Sequence, residues 1–274
     1  MDLADLHLHT HCSDGALSPE ELVRRAYARG LKAIAITDHD TVEGIAPARS
    51  EGRRWGIEVV AGVELSVSLG KRSFHLLGYF FDPENAALAG YLDAYRAARR
   101  RRGEQIVERL ADLGLRLSFD HVLVEAREGV VGRPHIARAM VAGGLVPTYE
   151  DAFMHYLGNG RPAHVPMPSL PVAEALAVLH RAGGIGVLAH PGNWTTSADI
   201  RAMMDAGLDG IETVHPSHDP VLENYYTAMA RDFLLIQTGG SDYHGYREQD
   251  ETNLGRVAIP YARVERARTR AIAA

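Results

Sequence analysis

Short apolar runs that end in histidine or a carboxylate recur along this chain, and that recurrence limits the folds open to it. The first is Leu6-His7-Leu8-His9. In an extended strand, residues two apart share a face. His7 and His9 are therefore expected side by side, with Leu6 and Leu8 on the opposite, buried face. Asp14 follows in a short turn ending at Gly15, close enough to swing a carboxylate back toward the pair. Neutral imidazole is the commonest protein ligand for a transition metal. Later runs repeat the arrangement. Lys32 to Thr37 ends in Asp38-His39-Asp40, Ile57 to Val63 ends at Glu64, and Ser73 to Tyr79 carries His75. Gly184 to Ala189 ends at His190, Gly210 to Val214 at His215-Pro216-Ser217-His218, and Leu234 to Gly239 leads to Asp242 and His244.

Helical segments separate these runs. Ser18-Pro19-Glu20-Glu21 is a capping box with proline at the first helical position, and Leu22, Ala26 and Leu31 continue an apolar face. Further helices are expected over 42–55, 171–182 and 198–206, and from Asp219-Pro220 to about Arg231. A last strand and helix close the chain. Strands alternating with helices read as an α/β barrel, whose active sites assemble at the C-terminal ends of the strands.

The pattern changes near Asp82-Pro83. From Ala86 to Leu113 the sequence favours helix throughout, and more helix is expected over 120–127, 134–141 and 149–157. Residues 82–162 are thus expected to form a helical insertion between barrel segments 1–81 and 163–274. The run Arg99 to Arg102 reads as a solvated helix face. Gly132-Arg133-Pro134-His135 puts Arg133 and His135 at a helix start, where free N–H groups favour anions. Gly158-Asn159-Gly160-Arg161 is a glycine-rich loop holding one arginine, whose planar fork suits phosphate. Ordinary turn chemistry is the competing account of both segments.

Composition excludes some functions. The net charge of -6 argues against wholesale coating of nucleic acid. The single cysteine, Cys12, has no partner for an internal disulfide. No apolar run approaches the roughly 20 residues of a membrane span, and no secretory signal is visible, so the expected location is cytoplasmic. No obligate protein partner is called for.

Collected, the candidate ligands are His7, His9, Asp14, His39, Glu64, His75, His190, Asp242 and His244. One metal takes about four to six ligands, so this set suggests two or three ions sharing a carboxylate. Mixed nitrogen and oxygen ligands suit zinc, manganese or iron rather than calcium.

In order, His-x-His, the Thr-Asp-His-Asp turn, Glu64, the Ala-His-Pro turn and the Gly-Ser-Asp-x-His ending resemble the polymerase and histidinol phosphatase (PHP) superfamily, over about 1–80 and 183–250. The resemblance implies a distorted seven-stranded β/α barrel and a trinuclear metal centre. By position, His7, His9, Glu64 and Asp242 would hold one ion. Glu64 would bridge to a second with His75 and His190, and Asp14, His39 and His244 would hold the third. Manganese is expected ahead of zinc or iron.

Within the superfamily, the opening "DLHLHTHCSDGALSPEELV", the segment "GRPHIARAMV" and "PSHD" resemble bacterial phosphoesterases acting on 3′,5′-bisphosphonucleotides. Those enzymes release the 3′-phosphate of adenosine 3′,5′-bisphosphate, and relatives trim short RNA from the 5′ end. A small nucleotide, or short RNA, is then the expected partner. Arg133, His135, Arg161, Ser217 and His218 are the candidates for holding phosphate. His215 or His218 is the candidate for protonating the leaving oxygen, and Asp38 and Asp40 are expected to stand behind the ligands. The alternatives are histidinol phosphate phosphatase and a non-catalytic, metal-stabilised module.

Overall fold

The computed structural model describes residues 2–127, 129–167 and 170–273. Seven strands make the frame: β1 (Leu3–Leu8), β2 (Leu31–Ile36), β3 (Glu58–Leu69), β4 (Arg72–Tyr79), β6 (Ile185–Leu188), β7 (Gly210–Val214) and β8 (Ile236–Gly239). Two-residue strands, β5 (Leu170–Pro171) and β9 (Ile259–Pro260), are added at β3 and β1. The order is β8-β7-β6-β4-β3-β2-β1-β9. β1, β2 and β3 are parallel, as are β6, β7 and β8, while β4 runs against both β3 and β6. The two ends meet where the His9 N–H donates to the Tyr243 carbonyl at 3.0 Å and the Ser241 N–H to Asp5 Oδ1 at 2.9 Å. Gly240 permits that approach, because a Cβ there would lie 2.4 Å from the His7 nitrogen. The result is the nearly closed, distorted barrel that the resemblance implied.

Side chains alternate with period two along the strands. Ala33, Ala35, Val60, Leu77, Tyr79, Ile185 and Val187 fill an inner cluster, plugged by Val264 and Ala267 of α11 (Tyr261–Ala273). Ile34, Ile36, Val59, Leu76 and Leu188 face the outer helices, among them α1 (Pro19–Ala28), α2 (Ile45–Trp55) and α7 (Val172–Arg181). β1 breaks this rhythm. Between Asp5 and Leu8 it carries one residue more than β2, a β-bulge. Leu6 therefore joins the inner cluster and Leu8 the outer one, instead of sharing a buried face opposite the histidines.

Two other expectations change. β3 continues to Leu69 and turns back through Gly70 (φ 60°) into β4. Glu64 is thus within a strand rather than at its end. Because β4 returns antiparallel, its early residue His75 pairs with Ser66 and reaches the same level of the rim.

Between β4 and β5, in the segment expected as an insertion, lie α3 (Ala86–Asp112), α4 (Phe119–Ala126), α5 (Arg133–Ala142), α6 (Tyr149–Ala152) and a wide π-type turn, Phe153–Leu157. Leu88, Tyr91, Leu92 and Tyr95 at the start of α3 pack with the barrel. Further along, Ile106, Val107 and Leu110 join Val122, Ile136, Met140 and Leu157 in a separate core. The arginine run is not uniformly solvated. Arg100 and Arg101 are exposed, but Arg99 and Arg102, three apart on one helix face, are buried. Arg99 Nε donates to Asp40 Oδ2 at 2.6 Å and its Nη2 to Ser66 Oγ at 3.1 Å. Arg102 Nε donates to the Val165 carbonyl at 2.7 Å. On the barrel side, α8 (Ser197–Asp205), α9 (Pro220–Asp232) and an unforeseen short α10 (Glu248–Asn253) complete the helices. No described helix is long and apolar enough to cross a membrane.

Candidate metal centre

Glu64 is the hub of the rim. Its side chain is 1% exposed and five imidazoles surround it. His75 Nδ1 lies 2.7 Å away, His190 Nε2 2.9 Å, His9 Nε2 3.2 Å, and His7 Nε2 and His39 Nδ1 3.3 Å. These five come from β1, the residues after β1 and β2, β4, and the turn after β6, so only the folded barrel assembles them. Asp242 lies 3.2 Å from His9 Nε2 and 3.4 Å from both His7 Nε2 and His215 Nε2. Asp14 lies 3.4 Å from His244 Nε2 and 3.9 Å from His9 Nδ1 and His39 Nε2. All nine expected ligands therefore converge. His190 (φ 25°) and Asp242 (φ 50°) sit in the left-handed region that L residues rarely adopt.

Donor atoms fall into four overlapping groups, each spanning no more than 4.8 Å: His9, Asp14, His39 and His244; His7, Glu64 and His190; His39, Glu64 and His75; and His7, His215 and Asp242. The first is the expected third site with His9 added. The last enlists His215, one of the two candidates for protonating the leaving oxygen. The set fits divalent metal ions. His9 Nδ1, His9 Nε2 and His39 Nδ1 are buried without a hydrogen-bond partner among the described residues, an arrangement that costs energy unless a ligand is met. Burial pushes the His39 imidazole down to about 3, keeping it neutral. Burial also opposes charge on His9, yet Asp242, Glu64 and Asp14 raise it to about 10. Despite burial, the His75 and His7 imidazoles and the hydrogen bond with His190 hold the Glu64 carboxyl well below the usual range.

Behind the ligands stand residues that fix them. Glu212, fully buried on β7, escaped the sequence reading. Its Oε1 accepts from His7 Nδ1 at 3.0 Å and its Oε2 from the His190 N–H at 2.7 Å. This leaves His7 Nε2 facing Glu64 and Asp242. Asp38 accepts from the Thr10 N–H, Thr10 Oγ1 and Ser13 Oγ, each at 2.7 Å, and so staples the loop between His9 and Asp14. Asp40 instead anchors Arg99 of the insertion.

The phosphate candidates scatter. Arg133 Nη1 donates to the Leu157 carbonyl at 3.1 Å and Asn159 Oδ1 at 2.9 Å. His135 is buried, its Nδ1 accepts from the Gly132 N–H at 3.0 Å, and burial lowers it to about 4. Arg161 is exposed on its loop. His218 donates from Nδ1 to the Thr213 carbonyl at 3.0 Å and accepts at Nε2 from the Gly192 N–H at 3.2 Å. Burial further disfavours its charged form. Its one proton is thus on Nδ1, committed to the Thr213 carbonyl. Ser217 holds His215, its Oγ 2.8 Å from Nδ1. A cavity of about 690 Å³ opens beside Asp14, His215, Asp242 and His244. Ser217 lines it, whereas Arg133, His135, Arg161 and His218 are not among its lining residues.

Known proteins share this build. The PHP domain family matches residues 5–120. A Haemophilus influenzae protein named 5′-3′ exoribonuclease is 36% identical over 88% of this chain and 89% of its own. This chain belongs to the PHP family. A Chromobacterium violaceum PHP relative, named 3′,5′-nucleoside bisphosphate phosphatase, is 35% identical over 88% of this chain and 86% of its own. A solved Bifidobacterium adolescentis structure described as a metal-dependent phosphoesterase superposes with a TM-score of 0.89. It is 34% identical and covers 97% of this chain and 96% of its own. This PHP protein is a hydrolase of phosphoric esters, with a rim suited to divalent metals.

Proposed function

We propose that this phosphoesterase releases the 3′-phosphate of nucleoside 3′,5′-bisphosphates, adenosine 3′,5′-bisphosphate above all. The observation that carries the reading is the convergence of seven imidazoles on Glu64, Asp14 and Asp242, open to a nucleotide-sized cavity. The substrate class follows the Chromobacterium violaceum relative. His7, His9, Asp14, His39, Glu64, His75, His190, Asp242 and His244 would hold two or three divalent ions, manganese first, with His215 joining Asp242. When bound, such ions activate water and neutralise phosphoryl oxygens. Glu212 keeps the His7 proton on Nδ1, so that Nε2 is presented for ligation. Asp38 holds Asp14 at the cavity edge through the Thr10–Ser13 loop. Trimming of short RNA from the 5′ end is a second reading, favoured by the exoribonuclease relative.

Metal analysis of the purified protein, paired with phosphate release, tests this. Adenosine 3′,5′-bisphosphate should be turned over faster than histidinol phosphate or p-nitrophenyl phosphate. Chelation should abolish turnover and Mn²⁺ restore it. Full activity in a metal-free preparation would overturn the metal assignment. Preference for histidinol phosphate would overturn the substrate, and no turnover of any ester would return the chain to a non-catalytic module.

A further inference from the structure

Two arginine–tyrosine pairs cross the cavity beside the metal centre. Arg138, on α5, lays its guanidinium carbon 4.2 Å from the ring centroid of Tyr246. Arg247, in the loop before α10, lies 6.0 Å from the ring centroid of Tyr149 on α6. In each pair one partner belongs to the insertion and the other to the loop that follows His244. All four line the same cavity as Asp14, Asp242 and His244.

Neither guanidinium is used up. The carboxylate paired with Arg138 is Glu125, 3.6 Å from Nε and beyond hydrogen-bond reach. Arg138 Nε and Nη2 are buried and have no hydrogen-bond partner among the described residues. Arg247 has no carboxylate within ion-pair distance among the described residues. Acidic groups also line the cavity. Asp250 is committed, because its carboxylate accepts from the Tyr246 and Arg247 N–H groups at 3.1 and 3.2 Å. Glu150 is exposed.

The geometry points to Arg138 and Arg247 as the grip for the second, non-reacting phosphate of the substrate, making this cradle the element that selects bisphosphates over simple monoesters. The proposal rests on the bisphosphate reading above. A metal centre processes one phosphate, and the other needs cations of its own within the same cavity. A guanidinium with undonated N–H groups meets a phosphate in fork geometry. Tyr246 and Tyr149 hold the two guanidiniums toward the cavity from opposite sides of the seam between insertion and barrel. Arg133 and Arg161, the sequence candidates, do not line this cavity; Arg133 donates to the Leu157 carbonyl and Asn159 Oδ1, and Arg161 is exposed.

The test uses the metal-loaded protein, with Arg247→Ala and Arg138→Ala made singly and together. Arg247 is exposed, so its variant keeps the fold even where Arg138→Ala does not. Read as the ratio of kcat/KM for adenosine 3′,5′-bisphosphate to that for p-nitrophenyl phosphate, each single change should cost roughly 10- to 100-fold. The loss should appear in KM. An unchanged ratio, whether from intact activity or from equal loss on both substrates, overturns the proposal. Wild-type protein that releases no phosphate from the bisphosphate would overturn the substrate reading instead. Calorimetric binding of adenosine 5′-monophosphate, which carries only the non-reacting phosphate, then decides the cradle alone. Weaker binding by the double variant supports it, and equal affinity in wild type and variant overturns it.

Discussion

The barrel rim and the helical insertion both gather charged side chains, but they do so by different means. At the rim each ligand sits within a strand or in the loop that follows one. The strand fixes where the side chain emerges, and the barrel brings seven such positions around Glu64, Asp14 and Asp242. In the insertion, a side chain's fate depends on which face of a helix meets a neighbour. Arg99 and Arg100 are adjacent in sequence, yet one is buried against Asp40 and the other is exposed beside Glu104. Chemistry set by strand ends is local, whereas chemistry set by helix packing is not.

The largest expected effect tests the rim. Glu64 belongs to two of the four donor groups and Asp14 to one. Glu64→Gln should remove metal from both, at a cost of several kcal/mol in the transition state, on the order of a thousandfold or more in kcat/KM. Asp14→Asn should lose less. Elemental analysis and rates on the same preparations make the comparison, and equal metal content with equal rates would erase the special place given to Glu64.

This difference also explains what could be read from the sequence. His-x-His, Glu64, His190 and the Asp242-x-His244 pair were legible because each lies in or after a short apolar run whose direction is predictable. The bulge in β1 was not legible, since it depends on how β1 pairs with β2. Glu212 lies within Gly-Ile-Glu-Thr-Val, and nothing local shows that it turns inward to His7, 205 positions away. Arg138 and Arg247 were hidden differently. They line one cavity only because the insertion and the loop after His244 come together in the fold. His135 and His218 looked chemical because of their neighbours, but the structure spends their nitrogens on backbone.

Next in size is the bond joining the two regions. Asp40 is fully buried and Arg99 is 9% exposed, so Asp40→Asn leaves an uncompensated buried guanidinium. Breaking such a pair costs about 3–5 kcal/mol, a fall in Tm on the order of 10 °C. Glu104→Gln, which breaks the exposed pair with Arg100, should barely move Tm. Thermal unfolding of both variants measures the contrast. Equal shifts would mean that the insertion is not locked to the rim through α3.

A smaller effect is expected behind the ligands. Glu212→Gln keeps the shape of the side chain but weakens its hold on His7 Nδ1 and on the His190 N–H. Supporting carboxylates of this kind are typically worth about 10- to 100-fold in metal affinity or activity. Competition with a metal-binding dye would report it directly. An unchanged affinity would make Glu212 a barrel-filling residue rather than a support of the centre.

The smallest effect is predicted at Arg133, and it is the one that most sharpens the contrast between regions. If its guanidinium only ties α5 to the Leu157–Asn159 turn, Arg133→Ala removes two hydrogen bonds, each worth about 1 kcal/mol. Burial and the neighbouring Arg99 already disfavour its charge, so removing it also relieves repulsion inside the insertion. Tm should fall by only a few degrees, and the rates on adenosine 3′,5′-bisphosphate and p-nitrophenyl phosphate should fall together or not at all. A loss confined to the bisphosphate would place the second phosphate at the start of α5. The insertion would then bind substrate through a helix terminus that the sequence announces, and the division between legible rim and illegible insertion would fail at that residue.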